Sequence, residues 1–181
     1  MIRSVLSKSL LCLAQFDPIV LVGSVDKMRL GVPKEPDNET RVAIVPSSLK
    51  KLIKAGFEVL VENGAGISAN YLDAEYENAG AKVVTRNEVL GCENIICINF
   101  PGVEGIAENT NLACVADPFR NPNYVKECLA ANITLMSMDM IPRRLSRAQS
   151  MDVNSSQDNL AGYKAVLLGA ANVPKGIPMM T

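Results

Sequence analysis

Between residues 143 and 159 the chain sets three arginines (Arg143, Arg144, Arg147) among Gln149, Asp152, Asn154, Ser155, Ser156, Gln157, Asp158 and Asn159. A stretch so dense in hydrogen-bonding groups contributes little to a core. On an α/β scaffold, polar loops of this kind often bind a ligand; a merely solvated loop is the alternative. Two weaker constellations accompany it. Gly64-Ala65-Gly66-Ile67-Ser68-Ala69 has the G-x-G-x-x-A form of a phosphate cradle after an apolar run. Such a loop should open straight into a helix whose amides face the phosphate, whereas Asn70 and β-prone residues follow this one. A turn that uses glycine for positive φ is therefore the favoured reading. Arg41, behind Gly31-Val32-Pro33-Lys34-Glu35 and ahead of a helix start, suits either a carboxylate clamp or an ion pair at a surface.

What the sequence lacks narrows the chemistry. It contains no histidine, and its five cysteines include no pair with C-x-x-C spacing, so neither a structural nor a catalytic metal is expected. Cys97 and Cys114 sit in apolar runs and read as reduced core residues. Eighteen basic residues against nineteen acidic ones leave no field that gathers phosphate backbones, which argues against nucleic acid as a partner. Lys8 and Asp17 interrupt the most apolar segment before it reaches the ~18 residues of a membrane span.

The elements that must position these groups follow from periodicity. Short apolar runs over 30–32, 57–61, 82–84, 93–99, 112–116 and 134–138 read as strands. Between them, Pro46 and Ser47 open a helix that Gly56 closes, residues 71–79 form a second ended by Gly80, and residues 123–130 a third. Strands alternating with helices require crossover connections, and hence a mostly parallel sheet flanked by helices: a Rossmann-like α/β domain. A last helix is expected over 157–170, with Ser155 and Asp158 as a capping pair and Leu160, Tyr163, Val166 and Leu167 as its apolar stripe. Residues 1–27 carry Arg3, Lys8 and several serines with no acid before Asp17, which reads as a transit peptide or as an extension upstream of a start at Met28.

The string from Arg144 to Val166, RLSRAQSMDVNSSQDNLAGYKAV, resembles the signature of NAD-binding (alpha) subunits of proton-translocating NAD(P) transhydrogenases. MRLGVPKE at 28–35, RVAIVP at 41–46 and GFEVLVENGAG at 56–66 are similar to the same family and to its relative, alanine dehydrogenase. The resemblance implies a Rossmann-like N-terminal lobe over 28–155, an interdomain helix and linker over 156–181, and a glycine-rich dinucleotide domain not contained in these residues. It implies that Arg144, Gln149, Asp152 and Ser155 hold the carboxamide and ring of NAD(H), with NADP(H) on a partner domain. It also implies hydride transfer coupled to proton translocation and an isolated chain that is inactive. The implied partners are the NADP-binding and membrane domains, with a homodimer of the NAD-binding subunit at the peripheral face of an energy-coupling membrane. That face is cytoplasmic in bacteria, or the matrix side if residues 1–27 are a transit peptide.

Two alternatives stay open: the lobe of an NAD-dependent alanine dehydrogenase, and a non-catalytic binding module. Amine oxidation needs groups that move protons near neutrality. The lysine and histidine that the dehydrogenases use fall near Ile98 and within 114–118 of this sequence, where neither residue occurs.

Overall fold

The computed structural model describes residues 27–174. The expectations for residues 1–26 and for the tail from residue 175 onward lie outside these described residues. Six strands form one sheet: β1 (Met28–Val32), β2 (Phe57–Glu62), β3 (Lys82–Val84), β4 (Asn94–Asn99), β5 (Asn111–Val115) and β6 (Thr134–Ser137). Every neighbouring pair is parallel, and the order is β3-β2-β1-β4-β5-β6. The chain thus winds outward from β1 in one direction, returns to the centre, and winds outward from β4 in the other. Between β1 and β4 the two halves diverge, and their carboxyl ends leave a crevice there.

Alternation along the strands feeds two cores, one on each face. Val59, Val61, Ile96, Ile98 and Ala113 point to the face covered by α1 (Pro46–Lys54) and α2 (Asp73–Asn78), where they meet Leu49, Leu52 and Tyr76. Leu60, Ile95, Cys97, Leu112 and Cys114 point to the other, where α3 (Arg86–Leu90) and α4 (Pro122–Ala130) supply Val89, Leu90 and Cys128. Burial on both faces accounts for the near-continuous apolar runs of β4 and β5.

Several boundaries differ from those read in the sequence. Helix α3 has no counterpart among the expected elements, because five residues are too few for a period; Glu88 accepts from the Thr85 amide at 2.9 Å and from the Thr85 hydroxyl at 2.7 Å, a capping signature that marks its start. α2 starts at Asp73 instead of Tyr71, since a single 3₁₀ turn (Ile67–Ala69) and left-handed Asn70 come first. Gly56 and Gly80 follow α1 and α2 at φ 98° and 97°, the left-handed position that ends a helix. The final helix, α5, spans Val153–Asn172, earlier and longer than 157–170. Its cap is Asp152, whose carboxylate accepts from the Ser155 amide at 3.0 Å; the expected Ser155–Asp158 pair is not the cap.

Close packing of α3 on β1 depends on Gly31, where a Cβ would stand 2.5 Å from the Val89 carbonyl oxygen. Gly31→Ala is expected to destabilise the fold by about 2–3 kcal/mol in urea unfolding, because backbone must shift. Tyr76 is fully buried, and its hydroxyl donates to the Ile44 carbonyl at 3.0 Å. Burial pushes its phenol pKa well up, so it stays a donor across the accessible pH range. Tyr76→Phe should cost about 1–2 kcal/mol in the same measurement, with the sheet retained by circular dichroism.

Candidate functional site

The crevice between β1 and β4 is organised by the residues that leave those strands. Glu35, three residues beyond β1, is buried and accepts from the amide N–H of Ile98 and, at 3.1 Å, from that of Asn99. Asn99 Nδ2 donates to Glu35 at 3.1 Å and to Glu39 at 3.4 Å. Glu39 in turn takes three bonds from Arg41: the backbone N–H at 2.9 Å, Nε at 2.8 Å and Nη2 at 2.6 Å. These bonds hold the Glu39 carboxyl below the ordinary carboxylate range and raise the Arg41 guanidinium, so the pair stays ionised. The remaining nitrogen, Arg41 Nη1, donates to Gln157 Oε1 at 2.8 Å.

A cavity of about 190 Å³ opens beside this network, lined by Arg41, Ile98, Asn99, Val115, Met138, Asn154 and Gln157 among others. Ile98, at the position where the dehydrogenases carry a lysine, presents only an apolar side chain there. Asn154 Nδ2 donates to the Asp139 carbonyl at 3.1 Å, which ties α5 to the turn after β6. Of the two readings left open for Arg41, the structure shows an ion pair, gripped by Glu39 and bridged to α5.

The loop with the dense polar stretch lies between the 3₁₀ turn Met138–Met140 and α5. Asp152 and Ser155 are brought together at the start of α5, and Ser155, through its side chain and then its amide, keeps the Asp152 carboxyl below its ordinary range. Arg143 Nε stands 3.8 Å from Asp152 and Nη2 3.3 Å from Asp158, so this arginine braces the helix start. Arg144 and Gln149 behave differently. Both are exposed, neither side chain has a hydrogen bond or ion pair among the described residues, and neither lines the cavity. Gln149 opens a 3₁₀ turn (Gln149–Met151) whose backbone is fixed through its own N–H to the Leu145 carbonyl at 3.1 Å. The loop therefore offers a rigid frame with two unpaired polar side chains on it.

The glycine loop after β2 is a turn. Gly64, at φ 72°, donates its N–H to Asp73 at 3.0 Å, so an internal carboxylate occupies the amide that a phosphate would need, and no α-helix opens from the loop. Glu39 and Asn99 are site residues that the sequence reading misses. Their signal is the rule that polar residues directly after the two central strands meet at the crevice, and it needs the strand order, which a sequence does not state. Among the described residues no group of three or more His, Cys, Asp or Glu is placed to hold a metal ion, and no helix is long and apolar enough to cross a membrane.

Known proteins share this architecture and its sequence. A model of the family "Alanine dehydrogenase/PNT, N-terminal domain" matches residues 31–161. The NAD(P) transhydrogenase subunit alpha of Haemophilus influenzae is 38% identical over 147 residues, which cover 79% of this chain and 28% of that protein. An NAD(P) transhydrogenase subunit alpha polypeptide of Rhodospirillum rubrum is 39% identical over 164 residues, 84% of this chain and 42% of the relative. Among solved structures, the transhydrogenase from Sinorhizobium meliloti superposes with a TM-score of 0.78 at 38% identity, covering 84% of this chain and 47% of that one. The chain spans less than half the length of each of these relatives. The six-stranded parallel sheet, the identity carried across most of the chain and the match over residues 31–161 agree on one assignment: the chain belongs to the alanine dehydrogenase/PNT N-terminal domain family.

Proposed function

We propose that this chain is the N-terminal lobe of the NAD-binding subunit of an NAD(P) transhydrogenase, an enzyme moving hydride between NAD(H) and NADP(H) with coupled proton translocation. The observation that carries this reading is the loop from Arg144 to Ser155, with two polar side chains left unpaired on a backbone that is otherwise pinned. A carboxamide-bearing aromatic ring needs donors and acceptors in fixed directions. Arg144 donates, the Gln149 amide does both, and Asp152 with Ser155 supplies an ordered carboxylate and hydroxyl. The residues present thus fit a nicotinamide.

When bound, the nicotinamide supplies the hydride carrier. The work left to this chain is to orient the ring and to keep water away from it, since transfer between two ring carbons depends on close approach and alignment. No proton has to be taken up or released at the reacting centre, in keeping with a chain without histidine. An alanine dehydrogenase would need such a group, and the cavity beside Arg41 offers Ile98 in its place. We assign the pyrophosphate end of the cofactor to a separate glycine-rich domain, reached through α5 and the residues beyond it, so that residues 28–155 form the lobe and 156–181 the connection. An isolated lobe would then be inactive. The partners on this reading are the NADP-binding and membrane domains and a second NAD-binding subunit. The site of action is the peripheral face of an energy-coupling membrane.

In the complete enzyme, Gln149→Ala should slow hydride transfer by about 10- to 100-fold while leaving assembly intact, read by stopped-flow transhydrogenation and size-exclusion chromatography. A wild-type rate would remove Gln149 from the site. The same enzyme given alanine and NAD should form no NADH; turnover at any measurable rate would move the assignment to amino acid oxidation.

A further inference from the structure

Helix α5 has few anchors for its length. Val153 is its one buried residue, and from Ala161 onward its described side chains are almost all exposed. Its direction is therefore set in the first turn and a half, where it touches the lobe at three places: Val153 in the core, Asn154 on the Asp139 carbonyl, and Gln157 on Arg41. The third contact stands at the end of a continuous polar strut. Glu35 holds the last amides of β4, Asn99 links Glu35 to Glu39, Glu39 clamps three donors of Arg41, and Arg41 Nη1 reaches Gln157. A guanidinium is planar, so once Nε and Nη2 are fixed on Glu39 the direction of Nη1 is fixed too. Gln157 must turn its oxygen to this donor, and its Nε2 is left buried without a partner. The contact is thus maintained although it strands a polar atom.

We propose that Arg41 is a positioning residue which, acting through Gln157, sets the placement of the first turn of α5 and with it Asp152 and Ser155. The strut transmits the geometry of the β1–β4 crevice to the loop, so that the ring-orienting groups keep a constant relation to the sheet. Its bearing on catalysis rests on the nicotinamide reading above; its mechanical role does not.

Two measurements separate those roles. In the 181-residue chain, hydrogen exchange of the backbone amides of residues 155–158 should speed up at least tenfold in Arg41→Ala and in Gln157→Leu, and stay near wild type in Gln157→Glu, which keeps an oxygen facing Arg41. Arg41→Lys should fall between, because an ammonium cannot hold Glu39 and Gln157 with one rigid plane. The Arg41→Ala/Gln157→Leu double variant should be no worse than either single change, as expected for residues acting as a unit. Unchanged exchange in both single variants, or losses that multiply in the double variant, would overturn the strut. In the complete enzyme the same two single variants should lower kcat for hydride transfer about tenfold with little change in KM for NADP, and Gln157→Glu should restore it. If Gln149→Ala slows transfer and these variants do not, Arg41 has no positioning role and the functional reading stands. If exchange responds as stated while no variant, Gln149→Ala included, alters transfer, the strut stands and the functional reading falls.

Discussion

The buried carboxylate of Glu35 joins the two strands at which the sheet reverses its winding. β1 and β4 pair through only two residue positions, Leu30 with Asn94 and Gly31 with Ile95, and they separate toward their carboxyl ends. A gap between diverging strands leaves amide groups without partners, and such groups are costly when buried. Glu35 closes that gap by accepting from Ile98 and Asn99, so one side chain does what a ladder of backbone bonds does elsewhere in the sheet. From that point the polar residues are organised outward: Asn99, Glu39, Arg41 and finally α5. The irregular register of β4 against β5 between Ile96 and Asn99 falls at the same place, as expected where a strand end is pulled toward a side chain instead of a neighbouring strand.

Much of this architecture is legible in the amino-acid pattern. Six apolar runs separated by helix-period segments allow little besides a parallel layered sheet, and both the strands and the glycines that end α1 and α2 are where the pattern puts them. What is illegible has physical causes. Helix α3 is shorter than one and a half periods of its own pattern, and α5 begins inside a string of polar residues that looks like loop until Asp152 is seen to cap it. The crevice is harder still. Glu35, Asn99 and Gln157 are separated by 64 and then 58 positions in the chain, and only the strand order makes them neighbours. Composition identifies the loop that carries Arg144 and Gln149 as polar, whereas only the structure distinguishes the arginine that braces the helix, Arg143, from the one left unpaired beside it.

The division of labour within that loop is itself informative. Asp152 is employed twice, as acceptor for the Ser155 amide and as counter-charge for Arg143, and its side chain is 9% exposed. A residue so committed cannot swing to meet a ligand; it fixes where the loop ends. Arg144 and Gln149 have the opposite character, with rotamer freedom to lose and no internal bonds to break. A site that joins fixed and free groups in this way can be formed before its ligand arrives and completed by it.

The far half of α5 has a further consequence for how the molecule comes apart. Tyr163, Val166, Leu167 and Leu168 all face solvent, so over that stretch the helix is held by its own backbone bonds alone. A dozen residues of unsupported helix are marginal in water at ordinary temperature. Unless another surface covers it, that segment will fray while both faces of the sheet remain packed, and denaturation followed by helix content will begin before denaturation followed by Tyr76. The lobe is therefore two thermodynamic units on one chain, with their seam near Leu160.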